Sequence, residues 1–366
     1  MSEHEAKFHQ ARKTISEIDK EIAVLFEARM RAAQAVAEYK KANGLPIEDL
    51  VREAQLLESN SNLISDEEIR SYYINFQKNV MRLSKDYQRK LNDGMRVAFS
   101  GIKGAFAELA VKRIFPDATA VAYSDFKAAY KAVEAGECEI AVLPIENSFE
   151  GDVARVMDLT YFGSLYINGV YDMTIEQNLF GTQGSDVKTI KTVISHPQAL
   201  GQCAEYIEQK GFETREAVNT AVAAKLVADS DDSSLGVICS IESGNEYGLK
   251  LIDRKINQDS LNTTRFAVFS RVPRDNSADQ NNFIVLFTVR DEAGALGKAV
   301  SVFGEFGYNL KALKSRPSKD VIWNYYFFLE GEGHLTDENE KLMVEKLSKV
   351  CTNVRVVGKF SEEQHI

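Results

Sequence analysis

The sequence predicts a multidomain fold: an all-α domain, then an α/β domain, then a small ferredoxin-like α+β domain. Three changes of pattern predict it. No strand alternation occurs between residues 5 and 91, strand and helix signals alternate from 95 to 271, and a strand–helix–strand–strand–helix–strand series fills 282–360. The 366 residues suit two or three domains, and 44% hydrophobic with 27% charged residues supply more than one core. Domain limits fall at 1–92, 95–272 and 282–366.

In the first segment Ile15, Ile18, Ile22 and Leu25 recur at 3–4–3 spacing, a helical stripe. Ala33, Val36 and Ala37 carry it to about Lys41, where Asn43-Gly44-Leu45-Pro46 ends the helix. At 1.5 Å per residue this helix spans roughly 50 Å, too long to bury its stripe within a small monomeric domain. An intertwined homodimer is therefore expected. Two more helices are predicted near 49–60 and 66–91, separated by the polar run Ser59-Asn60-Ser61-Asn62.

The second segment opens at Asn92-Asp93-Gly94, a helix end and linker. Residues 96–100 read as a strand, 105–115 and 126–135 as helices, and 139–144 as a buried apolar strand. A strand at 192–195, a helix from about 200, a helix at 220–228 and a strand at 235–239 continue the series, and a strand at 264–270 closes it. The alternation predicts a parallel sheet. Beyond a polar linker at 274–279, strands are predicted from 282 to 290, 309 to 315, 323 to 330 and 354 to 360, with helices at 296–306 and 337–350.

The net charge of −10 argues against nucleic-acid backbones, which require a basic face. A few buried cations can still set a local field for an anionic small molecule. Cys138, Cys203, Cys239 and Cys351 are too far apart for a CxxC pair and read as free thiols of a reducing compartment. No HExxH or His/Cys cluster occurs, so neither metal nor cofactor is expected. MSEHEAKFHQARKT lacks a signal-peptide core and no run reaches the ~18 apolar residues of a membrane span. A cytoplasmic protein without membrane partners is expected.

Arg29 lies seven residues after Ile22 and fourteen after Ile15, within roughly 40° around the helix, and Lys40 lies about 20° from Arg29. Both cations thus fall on the apolar stripe, with Arg12 at its edge. Buried cations are costly unless paired. Either they pair with Asp49, Glu53 or Glu58 of the next helix, or they line a cavity for an anionic ligand. Asp49, Arg52 and Glu53 share a face at i, i+3, i+4, as do Ser84 and Gln88 at i, i+4.

Over residues 5–91 this set resembles the all-α chorismate mutase family, through ARKTISEIDKEIAVLFEARMRAAQAVAEYKK, PIEDLVRE and SKDYQ. The resemblance implies that Arg29, with Arg12 from a second copy, grips the substrate carboxylates. It implies that Lys40 and Gln88 bond the breaking ether oxygen and that Glu53 accepts from the ring hydroxyl. Asp49, Arg52 and Ser84 complete the wall. The implied Claisen rearrangement of chorismate to prephenate needs no nucleophile, base or metal. It needs a dianion held compact and donors where charge develops on oxygen.

In α/β sheets ligands bind at the carboxyl ends of strands. The tips here carry Ser100-Gly101-Ile102-Lys103-Gly104-Ala105-Phe106, Pro144-Ile145-Glu146-Asn147-Ser148, Ser195-His196-Pro197-Gln198 with Gln202, and Asn262-Thr263-Thr264-Arg265-Phe266. Each has a plainer reading: turn glycines, a helix cap at 195–197, a strand-surface threonine. A serine–histidine hydrolase fits poorly, because Ser195 and His196 are neighbours and no GxSxG elbow exists.

Together LPIENS, SHPQALGQC, NTAVAAK and NTTRF resemble prephenate dehydratase over 95 to about 271. The resemblance implies a two-lobed, periplasmic-binding-protein-like fold with the site in the cleft, one lobe formed by 95–172 plus about 248–272. The substrate implied is prephenate, losing its ring hydroxyl and a carboxylate to give phenylpyruvate. By the same resemblance Thr264 would assist departure of the hydroxyl, Arg265 would organise the site or bind a carboxylate, and Glu146, Asn147, Ser195 and Gln202 would position the substrate. Glu146 is the rival general acid, which a raised pKa would favour. Ala107 and Phe149-Glu150-Gly151 depart from the family pattern.

Residues 282–360 resemble an ACT domain, which implies phenylalanine as an effector bound across a dimer interface. Gly294, Ala295 and Leu296 match the helix-opening motif, whose N–H groups meet a carboxylate. Asn309, Leu310 and Ser315 match the second motif, but Lys314 stands where an acidic residue is usual. The whole implies a two-reaction enzyme of phenylalanine biosynthesis. The rivals are a relative that decarboxylates prephenate without aromatising it, and a non-catalytic amino-acid-binding protein.

Overall fold

The structure, a computed structural model, describes residues 3–258, 262–274, 279–290, 292–318, 325–361 and 364–366. The chain divides into two compact units, one ending at Met95 and the other starting at Arg96. No described helix is long and apolar enough to cross a membrane.

The first unit is helical: α1 (Glu3–Ala42), α2 (Leu50–Ser61) and α3 (Glu67–Asp93). Gly44 ends α1 with a φ of 62°, which glycine adopts without steric cost. Arg52 N donates to Asp49 Oδ1 at 2.9 Å, and Glu68 N and Ile69 N donate to Asp66 Oδ1, so each acidic side chain caps a helix start. Asp49 therefore precedes α2, which corrects the expectation that it shares a helical face with Arg52 and Glu53. The C-terminal half of α1 buries Ala33 and Ala37, and α1 packs along α3. Its N-terminal half is different. Ile15, Ile18, Ile22 and Leu25 remain 57%, 50%, 44% and 69% exposed on the single chain.

The second unit opens with β1 (Arg96–Ser100), α4 (Phe106–Ile114), β2 (Thr119–Tyr123), α5 (Phe126–Ala135), β3 (Ile140–Asn147), β4 (Gly151–Asp152), α6 (Ala154–Phe162) and β5 (Tyr166–Thr174). The chain then crosses to a second lobe. This holds β6 (Asn178–Gly181), β7 (Thr192–Ser195), α7 (Pro197–Gln202), α8 (Ala204–Lys210), β8 (Glu213–Glu216), α9 (Thr220–Ser230), β9 (Leu235–Cys239), α10 (Ile241–Glu246) and β10 (Lys250–Asp253). It returns through β11 (Thr263–Ser270), which lies between β5 and β3. Each lobe has its own core: Tyr130, Leu143, Ile167 and Phe269 in the first, Leu179, Val193 and Ile238 in the second.

Two sequence expectations change here. The sheets are mixed: β1 is parallel to β2 and β3, and β7 to β8 and β9, but β11 runs antiparallel to β3 and β5, and β6 to β9 and β10. The return to the first lobe starts with β11 rather than near residue 248, because β10 pairs with β6 in the second sheet. Short strands such as β8 escaped the sequence reading because all four of its residues are exposed and leave no apolar alternation.

The C-terminal part has β12 (Asn282–Val289), α11 (Ala295–Glu305), β13 (Asn309–Pro317), β14 (Tyr325–Glu332), α12 (Asp337–Leu347), β15 (Cys351–Phe360) and β16 (Gln364–His365). The order β13-β14-β12-β15 is the ferredoxin-like arrangement. Trp323 and Asn324, where a strand was predicted to begin, lie outside the described residues, as do 275–278 of the predicted linker. β15 continues the first-lobe sheet by pairing with β5 at Gly358 and Ile167. A Cβ at 358 would run into the Ile167 carbonyl oxygen, so glycine permits this joint.

Candidate active sites

In the helical unit Arg29, Lys40, Asp49, Arg52, Glu53, Ser84 and Gln88 line one pocket of about 280 Å³, with Ala33, Val36 and Met81 as apolar wall. Arg29 Nη1 donates to Ser84 Oγ and, at 3.5 Å, to Val80 O. Lys40 Nζ donates to Ile47 O at 2.6 Å. Among the described residues neither cation is ion-paired with a carboxylate, so the pairing reading loses to the cavity reading. Burial lowers the Arg29 pKa. Gln88 is 7% exposed and its Oε1 has no hydrogen-bond partner among the described residues. Glu53 is held by Lys85 at 3.1 Å, a cation of the SKDYQ run that the sequence reading did not single out. Arg12 lies elsewhere. It sits over the Phe8 ring at 4.8 Å, seventeen residues and about 25 Å along α1 from Arg29.

A second cavity, of about 460 Å³, lies between the two lobes. Strand ends supply its polar wall: Asn147 from β3, Thr264 from β11, His196, Gln198 and Gln202 at and within α7, and Asn219 and Thr220 at the start of α9. The glycine loop before α4 contributes Ala105, Phe106 and Ala107. Gly104 is needed there: its φ is 85°, and a Cβ would meet the Ser243 side chain at 3.1 Å.

Asn147 organises the centre. Its Nδ2 donates to Thr264 Oγ1 at 2.9 Å and to Asn262 Oδ1 at 3.0 Å, and its Oδ1 accepts from Phe149 N and Glu150 N. Thr264 Oγ1 thus accepts from the amide, and its own proton remains to be donated. Ser195 is fully buried, donates to Ile238 O at 2.6 Å and ties β7 to β9 rather than facing the cleft. His196 caps α7, accepting at Nδ1 from Gln198 N at 3.3 Å.

Strand register sends Glu146 and Arg265 the other way. Thr264 pairs with Asn147 and Arg265 with Glu146, and consecutive side chains alternate between faces. Arg265 lies 3.2 Å from Glu146, 2.9 Å from Glu330 and 3.7 Å from Asp172. It is spent on carboxylates behind the sheet, which corrects its assignment to the substrate carboxylate. Burial pushes the Glu146 carboxyl up, but hydrogen bonds and charge from Lys314 and Arg265 outweigh this and hold it below the usual carboxylate range. The raised pKa that a general acid requires is absent.

Lys314 on β13 lies 2.9 Å from Glu146 and 2.5 Å from Asp152, and Asp152 lines the cleft. The C-terminal domain thus reaches the cleft wall through one lysine. Gly294, with a φ of 80°, caps α11, and Ala295 and Leu296 open the helix. Asn309 and Leu310 begin β13, where Asn309 pairs with Glu332, whereas Ser315 pairs with Phe327. Six residues, about 20 Å of strand, separate Asn309 from Ser315, so one chain does not gather the predicted effector residues at one point.

Family models match residues 11–89 to chorismate mutase type II, 97–274 to prephenate dehydratase and 283–341 to the ACT domain. Arogenate dehydratase/prephenate dehydratase 1 of Arabidopsis thaliana is 32% identical over 279 residues, covering 72% of this chain and 71% of its own. The bifunctional chorismate mutase/prephenate dehydratase of Neisseria gonorrhoeae is 28% identical over 354 residues, 95% of each chain. Among solved structures, prephenate dehydratase from Arthrobacter aurescens in complex with L-Phe matches with a TM-score of 0.68 at 26% identity, covering 73% of this chain and 90% of that one.

Proposed function

The chain belongs to the family of bifunctional chorismate mutase/prephenate dehydratases with a C-terminal ACT domain, and we propose how its two pockets divide the work. The helical pocket rearranges chorismate to prephenate. Arg29 and Lys40, which have no carboxylate partner among the described residues, meet the dianion, and Lys40 and Gln88 meet the ether oxygen as its C–O bond breaks. Arg52, Asp49, Glu53 and Ser84 shape the wall. Arg12 comes from a second copy docked along the exposed Ile15–Ile18–Ile22–Leu25 stripe, so the mutase works as a dimer.

The lobe cleft turns prephenate into phenylpyruvate. The ring C–OH bond breaks as the bond to the ring carboxylate supplies the aromatising electron pair. Carbon dioxide and water leave, with one proton taken up. The observation that carries this reading is the Asn147–Thr264 hydrogen bond, which leaves the threonine proton to be donated to the departing oxygen. Asn147 and Gln202 position the substrate, while Ser195, Glu146 and Arg265 support the frame. Phenylalanine acts through the ACT domain, with Gly294, Ala295 and Leu296 of one chain meeting Asn309, Leu310 and Ser315 of another.

The test is incubation of the pure chain with chorismate, following prephenate and phenylpyruvate together. Both form in sequence if the reading is right. No consumption of chorismate would leave a binding protein. A second substrate is favoured by Glu150 in a cleft whose described lining has no lysine or arginine, Asp152 being paired with Lys314. The Glu150 carboxylate suits an ammonium in place of the ketone, as in arogenate, and turnover of arogenate beside prephenate tests it.

A further inference from the structure

Gln177 lies in the first crossing between the lobes, three residues beyond β5, and is 3% exposed. Its backbone is pinned on both sides. Ile256 N donates to Gln177 O at 2.9 Å, and Gln177 N donates to Asn257 Oδ1 at 3.1 Å. Its side-chain Nε2 donates to Gln202 Oε1 at 3.2 Å. The remaining amide atom, Oε1, is buried without a hydrogen-bond partner among the described residues. Gln177 and Gln202 both line the cleft that holds Thr264 and Asn147. A buried amide oxygen left unmet is costly. One fixed beside a ligand cleft is matched to a donor that arrives with the ligand.

We infer that Gln177 accepts the hydrogen bond of the ring hydroxyl that departs in the dehydration, turning that oxygen's lone pairs toward Thr264. This rests on the dehydratase reading of the cleft. The prephenate dianion carries two carboxylates, a ketone and one hydroxyl, so the hydroxyl is its single hydrogen-bond donor. With its own hydrogen held by Gln177 and a second supplied by Thr264, the oxygen leaves as water, and Thr264 recovers its proton from solvent. No motif marks this residue: Thr174-Ile175-Glu176-Gln177-Asn178-Leu179 carries none, and the amide pair with Gln202 spans 25 positions.

The test compares prephenate with the non-reacting analogue that carries hydrogen in place of the ring hydroxyl, using the full chain. In wild type the Ki of the analogue exceeds the KM of prephenate by at least about 10-fold. Gln177→Met removes the acceptor, and the ratio falls to within about 2-fold while kcat/KM for prephenate drops. Gln177→Glu keeps an oxygen acceptor. Its charge weakens both ligands alike, so the ratio stays near wild type. If Gln177→Met weakens both ligands by one factor and keeps the ratio, the residue only supports the fold and the inference is overturned. Where Gln177→Met does not fold, a collapsed ratio in Gln177→Glu overturns it equally. Wild type that makes no phenylpyruvate from prephenate would instead sink the dehydratase reading itself.

Discussion

Reversing the charge at Lys314 tests the link between the C-terminal domain and the dehydratase cleft. In wild type this amine lies 2.9 Å from Glu146 and 2.5 Å from Asp152, with its side chain 18% exposed and theirs 29% and 35%. Such pairs fall between exposed ion pairs, worth about 0–1 kcal/mol, and buried ones, whose breaking costs about 3–5 kcal/mol. Allowing for solvent screening and for the new repulsion, Lys314→Glu destabilises the second unit by about 2–3 kcal/mol. A unit of this size loses roughly 2–4 °C of Tm per kcal/mol, so its melting transition falls by about 4–12 °C. Function suffers as well. Glu146 precedes Asn147 on β3, Asp152 lines the cleft, and displacing either disturbs the amide that holds Thr264. Dehydratase kcat/KM falls by roughly 10-fold, about 1.4 kcal/mol, while mutase activity stays within about 2-fold. Calorimetry and the two activity assays read this out. Unchanged melting together with unchanged dehydratase activity would refute the link.

Arg29→Ala lowers mutase kcat/KM by roughly 10²–10³-fold and leaves dehydration of added prephenate intact, as paired chorismate and prephenate assays would show. Ile18→Asp with Ile22→Asp removes the apolar stripe. Sedimentation then shows a smaller assembly and mutase activity drops, whereas a fully active monomer would contradict the role of Arg12. Glu146 has a depressed folded pKa, so its stabilisation is present above the unfolded carboxylate value of about 4.3 and is lost as pH falls through the folded value. The melting-temperature gap between wild type and Glu146→Gln is therefore largest near neutral pH and closes in acid, which a series of melts from pH 7 to pH 3 measures.

The helical unit was legible because its signals are local. The 3–4–3 stripe, the stop at Gly44 and the spacing of Arg29 and Lys40 all follow from one period, and the structure puts both cations in the pocket wall. Asp49 misled because residue spacing does not distinguish a cap from a helical turn. The cleft was read from strand tips, and Thr264, Asn147 and Gln202 do converge there. What stayed hidden depends on strand pairing. Which of two neighbours faces the cleft is set by the register of β11 on β3, and that register turns Glu146 and Arg265 away. Ser195 sits at a strand tip yet points into its own sheet, toward Ile238. Lys314 was flagged for an unusual charge, but its partners Glu146 and Asp152 lie more than 160 positions away and become neighbours only once the two sheets join.

The most direct measurement supplies chorismate to Thr264→Ala and follows both products over time. Two separate sites predict that prephenate builds up at the wild-type rate and phenylpyruvate does not form above the uncatalysed background. Phenylpyruvate still forming at the wild-type rate, or both reactions stopping together in a folded protein, would contradict the account.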